Sequence, residues 1–406
     1  MPDPAASDTL GAELLALAAI GADGDGVTRT AWSPQLMQAS QWLVERCVDA
    51  GATAEIDPAG NVVARWAGRR DAPALLVGSH IDTVRQGGRY DGALGVLGGL
   101  DAARRLHAGG ARLGRPLWLA AFNDEEGTRF ATSMFGSRAF AGEPLEAELR
   151  SADAAGTTVA AAMAAAGSDP ASLPGARGLH RVGSYLELHI EQGPVLEEAG
   201  AGIGVVTAIV GLLGLRVTLG GQANHAGTTP MDLRRDALAG AARAILSLRE
   251  HALGHGLRLT VGEIEVAPGG SNVVPGACTF SVDVRTADPA ALERAEAAVR
   301  DIVTACAAQE GLTAEATRVH RLEPVAMDPA MQAVIHRAAE AEGTQVLELV
   351  SGAGHDAMVL GRHVPAAMLF VPSRGGISHN PEEFTTPAHC ELGARVLAAA
   401  IAVLAT

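Results

Sequence analysis

Read from its N-terminal side, the chain alternates between two hydrophobic periods. Over Ser33–Ala50 the apolar residues Leu36, Ala39, Trp42, Leu43, Cys47 and Val48 recur at helical spacing, and Gly51 ends the run. Short apolar runs at Ala54–Ile56, Val62–Trp66 and Ala74–Gly78 read as strands, the last leading into GSHIDTV. Gly92–His107 returns to the helical period. Pro116–Phe122 is a continuous apolar run of the kind that is buried on both faces, and Tyr185–His189 is another strand. Strands separated by helices in this order predict a layered α/β fold.

The pattern changes near Gly211. A strand over Leu212–Leu219 is followed by a helix over Asp236–His255 and strands over Leu257–Val266 and Thr279–Arg285. A helix over Pro289–Glu310 and a strand over Thr313–His320 complete the block. The order is βαββαβ, the ferredoxin-like arrangement, with helices packed on one sheet face. After Pro324 the first pattern resumes: helix Pro329–Glu342, strand Gln345–Leu349, helix His355–Gly361, strand Ala366–Val371 and helix Ala388–Leu404. The simplest organisation is a discontinuous α/β domain, residues 1–210 and 327–406, with a second domain, residues 211–326, inserted in it. The Ala-rich stretch Ser151–Gly178 predicts a surface helix without chemistry.

Composition narrows this picture. A chain of 406 residues is long for one core and suits two domains, and 48% hydrophobic residues can fill them. The balance of 31 Lys plus Arg against 46 Asp plus Glu lacks the basic footprint of a nucleic-acid binder. Cys47, Cys278, Cys306 and Cys390 are scattered, which argues for buried thiols in a reducing cytoplasm rather than a disulfide framework. The opening MPDPAASDTL has no signal-peptide pattern, and the apolar runs look too short to span a membrane.

Against that background, the placement of His and acidic residues stands out. His80 and Asp82 lie two apart at a strand end. Asp91 opens the helix in RYDGALGVLGG. Glu125 and Glu126 follow the strand that ends at Phe122. His189 ends LELHIEQGP, and His379 lies in the Gly-rich loop GGISHNPEE. Taken singly, a histidine is more often structural than a ligand, and an acidic pair is usually a solvated surface. Read together, all these groups fall at the C-terminal ends of predicted strands, where open α/β sheets gather their ligands. Three histidines and two carboxylates can hold two divalent ions if one carboxylate bridges them, and a further carboxylate can take a proton from a water between the ions.

These strings resemble one family, the N-carbamoyl-L-amino-acid hydrolases and allantoate amidohydrolases of the dinuclear-metal aminoacylase and carboxypeptidase-G superfamily. GSHIDTV, DGALGVLGG, NDEEGTRF with GSRAFAG, LELHIEQGP, GQANHAGTTPM, GSNVVPG, DVR, SGAGHDAM and GISHNPEE occur in the family's order over nearly the whole chain. The resemblance implies one ion on His80, Asp91 and His189, and another on Asp91, Glu126 and His379. Zn2+ or Mn2+ is implied, with Co2+ or Ni2+ also admitted. It implies Glu125 as general base and then acid, and Asp82 as the residue orienting His80. The inserted domain would be a lid and dimerisation domain. His225 on it would stabilise the oxyanion from the partner subunit, while Asn272 and Arg285 would grip the substrate acid. Gln192 would meet the ureido end, and Gly375 and Gly376 would offer backbone N–H groups to the carboxylate. His355 receives no role. The implied reaction is ureido C–N hydrolysis of an N-carbamoyl-L-amino acid or allantoate, with release of ammonia and carbon dioxide, by a cytoplasmic homodimer without nucleic-acid or membrane partners. An aminoacylase or peptidase of the wider superfamily, and a non-catalytic binding protein on the same fold, are the alternatives.

Overall fold

A computed structural model describes residues 9–406, so the polar opening read for a signal peptide lies outside the described residues except for its last two positions. The chain divides into two compact units, Ala208–Val325 and the remainder that runs to Thr207 and resumes at Ala326.

The larger unit is built on a nine-stranded sheet. Its order is Val325–Ala326, Ile203–Ile209, Ala366–Val371, Val182–Ile190, Ala74–His80, Leu117–Phe122, Val62–Trp66 and Thr53–Ile56, with Val346–Ser351 also pairing with Ile203–Ile209. The four inner strands, Ala366–Val371, Val182–Ile190, Ala74–His80 and Leu117–Phe122, are parallel. The strands flanking them are antiparallel. Ala74–His80, Leu117–Phe122 and Ala366–Val371 are buried at every position. Their sequences are correspondingly near-continuous in apolar residues, as strands covered on both faces require.

Helix starts follow local chemistry. Ser33, Asp288, Asp328 and Thr386 each cap a helix with their side chain and each precede a proline in its first turn. The helix Ala93–Ala108 packs on the inner strands. A Cβ at Gly95 would come within 2.2 Å of the Leu188 carbonyl, so only bare backbone permits this approach.

Several elements differ from expectation. A helix over Thr9–Ala19 buries Leu10, Leu14 and Leu17, although its largely apolar sequence shows no clear polar face. The run Leu257–Val266 forms two short strands, Arg258–Thr260 and Ile264–Ala267, both paired with Ala277–Thr286. The Ser281 hydroxyl takes the Glu263 N–H at the break between them. The Ala-rich stretch does carry a helix, Val159–Ala165, but Val159, Ala162 and Met163 are buried in a small core with Trp32, Phe130 and Phe135. The helix Pro387–Leu404, with mean hydropathy 1.4 over 18 residues, is long and apolar enough to cross a membrane, contrary to the reading that every run was too short. Half of it is buried inside the protein, and its polar positions Glu391 and Arg395 pair with Arg105 and Glu342.

The smaller unit has the strand order Arg258–Thr260, Ala277–Thr286, Gly211–Gly220, Thr313–Leu322, with Ile264–Ala267 beside Arg258–Thr260 on the same neighbour. With helices Ala237–His255 and Pro289–Gln309 between strands, this is a βαββαβ sheet in ferredoxin-like order. Leu213, Leu215, Val217 and Leu219 face both helices, whereas Arg216 and Thr218 are exposed on the other side.

Candidate active site

The parallel strands deliver the chemistry at their C-terminal ends. His80 ends its strand, His189 is the penultimate residue of Val182–Ile190, and Glu125 and Glu126 follow the strand that ends at Phe122. Asp91 arrives from the turn before helix Ala93–Ala108. Gly92, at φ 63°, lets that turn pass over His80, because a Cβ there would meet the imidazole at 2.5 Å.

Asp91 lies between two sets of ligands. Its Oδ1 is 3.5 Å from His80 Nε2 and 3.2 Å from His189 Nε2. Its Oδ2 is 3.4 Å from His379 Nε2, which is also 3.4 Å from Glu126 Oε2. His80, Asp91 and His189 thus form one group that can hold a metal ion, and Asp91, Glu126 and His379 form another. Tautomers agree with this role. The Nδ1 of His80 faces the Asp82 carbonyl at 3.1 Å and that of His189 faces the Ile190 carbonyl at 2.8 Å. With each Nδ1 turned to a carbonyl, Nε2 is the nitrogen that faces Asp91 and would ligate an ion in exchange for its hydrogen bond to that carboxylate.

Two oxygens of one carboxylate facing separate imidazole sets, within a nearly buried acidic cluster, fit a pair of divalent cations. In the metal-free chain, burial opposes the Asp91 charge, but hydrogen bonds to His189, His379 and His80 hold its carboxyl well below the usual carboxylate range. Burial and nearby Asp91 push Glu126 up to about 7. Burial also raises Glu125 well above its ordinary value, partly offset by His80 and reinforced by Glu126. The hydrogen bond to Asp91 lifts His379 to about 9. Oxygen and imidazole donors of this kind suit first-row divalent metals.

A third cluster, Glu187, His189 and His355, has ligand spacing but is already committed. Glu187 accepts from Ser79, Tyr185 and the Ala357 N–H, and His355 Nε2 is 2.8 Å from the Ser351 hydroxyl. The His355 ring stands edge-on to His189 at 4.6 Å. Burial, with His189 beside it, holds its pKa well below the ordinary value, so it packs as a neutral wall.

Residues 76–403 match the family model for peptidase family M20/M25/M40. The chain belongs to this M20 family. It is 40% identical over 375 residues to the N-carbamoyl-L-amino acid amidohydrolase of Geobacillus stearothermophilus, covering 92% of each chain. It is 39% identical over 386 residues to the allantoate amidohydrolase of Bacillus subtilis, covering 94% of this chain and 93% of the other. A crystal structure of a hydantoinase/carbamoylase family amidase from Burkholderia multivorans superimposes with a TM-score of 0.91 at 40% identity, over 98% of both chains.

Asp82 works differently in this M20 chain from the expected carboxylate–imidazole pair. Its backbone carbonyl meets His80, while its carboxylate is 3.8 Å away from the ring. Both carboxylate oxygens instead accept main-chain N–H groups, from Glu125 at 3.3 Å and Glu126 at 3.2 Å. Asp82 therefore fixes the turn that carries both glutamates. Gln192 donates from Nε2 to Asp91 Oδ2 at 2.8 Å. Because its amide nitrogen must face that carboxylate, its Oε1 is left buried without a partner among the described residues.

The glycine expectation fails. The Gly375 N–H donates to Glu197 at 2.5 Å and the Gly376 N–H donates to the Ser373 carbonyl at 3.0 Å, so neither is available to a substrate carboxylate. His225, Asn272 and Arg285 belong to the other unit. His225 is exposed on a two-strand ribbon beside Asn272, whose carbonyl takes the Ala226 N–H at 2.9 Å. Its Nδ1 accepts the Gly227 and Thr228 N–H groups at 3.0 and 3.2 Å, which puts the neutral ring's proton on Nε2. The Arg285 guanidinium is bound by Asp283 of its own strand, at 2.9 Å from Nε.

Sequence reasoning missed two buried supports of this M20 site. Arg29 is fully buried and donates to the Ile81 carbonyl at 2.8 Å, and to those of Leu17 and Ile20 at 3.0 and 3.1 Å. It ties the peptide between His80 and Asp82 to the end of the first helix. Its only sequence signal was a charged residue within the otherwise uncharged GVTRTAWSP. Glu187 alternates with Leu186 and Leu188 on an apolar strand, and that isolation was its signal.

Proposed function

We propose that this chain hydrolyses the ureido C–N bond of a small carbamoylamino acid, an N-carbamoyl-L-amino acid or allantoate, and that it does so with two divalent cations. The observation that carries this reading is Asp91, one oxygen toward His80 and His189 and the other toward His379, with Glu125 Oε2 3.8 Å from His80 Nε2. Zn2+ or Mn2+ would be held by His80, Asp91 and His189, and by Asp91, Glu126 and His379. Bound there, the ions would polarise the ureido carbonyl and make a water acidic enough to lose its proton near neutral pH.

The chain's own residues supply the rest. Glu125, buried beside this cluster, takes the proton from the attacking water and passes it to the leaving nitrogen as the C–N bond breaks. The products are the free amine and a carbamate, which decomposes to ammonia and carbon dioxide. The unpartnered Gln192 Oε1 is an acceptor suited to a ureido N–H. His225, with its Nδ1 occupied, carries an Nε2–H that can donate to the developing oxyanion. Arg285, steadied by Asp283, pairs with the substrate carboxylate, and Asn272 assists. The inserted unit would serve as lid and as the seat of a homodimer, with His225 acting across subunits in a cytoplasmic enzyme. Its support is the exposed Leu246 and Leu253 on helix Ala237–His255 and the long edge strand Thr313–Leu322.

Ammonia release from allantoate, N-carbamoyl-L- and D-amino acids and 3-ureidopropionate, and free amino acid release from dipeptides and N-acyl amino acids, with Mn2+ or Zn2+ supplied, test the reaction. Turnover confined to ureido acids is the expected result. Turnover of dipeptides or N-acyl amino acids alone, or of none, overturns it. Mixing inactive His225→Ala and Glu125→Gln subunits should restore activity, and silent mixed dimers would confine each site to one chain.

A further inference from the structure

Among the nearly buried carboxylates that the mechanism leaves without a task, Glu383 bridges the most distant parts of the site. Glu383 is 2% exposed and lies four residues beyond His379. Its Oε1 accepts two main-chain N–H groups from the other side of the site, Tyr90 at 2.9 Å and Asp91 at 3.2 Å. Its Oε2 is 2.9 Å from the Ser378 hydroxyl. Ser378 Oγ in turn stands 3.1 Å from Asp91 Oδ2 and receives the Gln192 amide at 3.3 Å. The approach of the two loops is tight, since a Cβ on Gly88 would fall 2.0 Å from Glu383 Oε1.

One carboxylate therefore joins two loops that are far apart in the chain and hold different ligands of the same ion. On the Asp91 side it fixes the backbone of the bridging residue. On the His379 side it acts through Ser378, which touches the Asp91 oxygen facing His379. His379 itself is half exposed and stands at φ 54°, so nothing in its own backbone preference holds it toward Asp91. We propose that Glu383 is a positioning residue that locks the Asp91 loop to the His379 loop and so sets the affinity of the ion position formed by Asp91, Glu126 and His379. It matters less to the His80 and His189 position, which shares only Asp91 with this clamp and has two imidazoles held by strand ends. The proposal rests on the dinuclear reading above.

The test is calorimetric titration of Mn2+ into the chelator-stripped full chain, as wild type, Glu383→Ala, Glu383→Gln and Ser378→Ala. Supporting residues around metal ligands are worth about 10–100-fold in affinity. Glu383→Ala should lose that much in the weaker of two binding steps and clearly less in the tighter step. Glu383→Gln should recover most of the loss, since its amide oxygen still accepts the Tyr90 and Asp91 N–H groups. Ser378→Ala, which keeps that backbone clamp and serves if Glu383→Ala does not fold, should weaken the same step roughly two- to tenfold. Amide hydrogen exchange in the stripped protein gives a readout free of metal: Tyr90 and Asp91 should exchange faster in Glu383→Ala and not in Glu383→Gln. An unaltered weaker step, equal weakening of both steps, or unaltered exchange at Tyr90 and Asp91 overturns the proposal. A wild-type chain that takes up no Mn2+ overturns the dinuclear reading, and this proposal with it.

Discussion

The two candidate ion positions are built by different means. Around His80 and His189 the sheet does the work: the side chains are 3% and 1% exposed and each ring hands its Nδ1 proton to a main-chain carbonyl. Around His379 and Glu126 loops do the work, with His379 51% exposed and in left-handed backbone. Asp91 belongs to both. A strand end inherits its precision from the hydrogen-bonded ladder behind it. A loop must be held by side chains brought from elsewhere, as Ser378 and Glu383 are. The first position should therefore be the tighter and the second the more readily emptied.

Four measurements can break or sharpen that contrast. Glu125→Gln should lower kcat by about 10²–10⁴-fold, the range of general acid–base catalysis, while both ions still bind. Ammonia release with metal analysis checks it, and near-normal turnover would remove Glu125 as base. Next, His189→Ala should abolish the tighter ion and cost about 1–3 kcal/mol of stability in urea melts, because buried Asp91 loses a partner. His379→Ala should release only the weaker ion, with stability changing by less than about 0.5 kcal/mol. Equal effects of the two would erase the distinction. Arg285→Ala should raise KM for acidic substrates about tenfold, the worth of one charge-assisted hydrogen bond, with kcat less affected. An unchanged KM removes the clamp.

The smallest effect is on pH dependence. In the metal-free chain His379 is lifted from 6.5 to about 9. A histidine with a higher pKa folded than unfolded stabilises the fold fully below the lower value and loses that contribution as pH rises through the higher one. Glu126, raised from 4.5 to about 7, is destabilising once the unfolded carboxyl ionises, so its loss has the same sign and comes earlier. The Tm of the chelator-treated chain should fall between roughly pH 6.5 and 9, and His379→Gln should flatten the slope. A Tm that rises across this window contradicts the pairing of His379 with Asp91.

Much of this site was legible because strand ends announce themselves. His80, His189 and the Glu125–Glu126 pair each come at or just after the end of a largely apolar strand, and in a parallel sheet those strands finish on one side. The helices read from Ser33, Pro289, Pro329 and Ala388 begin within two residues of the caps at Ser33, Asp288, Asp328 and Thr386. What escaped has partners far along the chain. Glu383 looks like half of a solvated acidic pair until Tyr90 and Asp91 are beside it. Gly375 and Gly376 suggested free N–H groups because sequence does not show that Glu197 and the Ser373 carbonyl already take them. The helix Thr9–Ala19 lacks the polar stripe that periodicity needs. His225, Asn272 and Arg285 came by resemblance alone, since exposed loops and strand faces have no hydrophobic signature.

The bare face of helix Ala93–Ala108 carries a wider consequence. Replacing a helix glycine by alanine is among the easiest routes to a sturdier protein, worth about 0.5–1 kcal/mol. At Gly95 that route is closed, because the added methyl would strike the Leu188 carbonyl next to His189. The chain therefore forgoes thermal robustness in the helix that begins beside Asp91. A heat-tolerant variant must find its gains in other parts of the molecule.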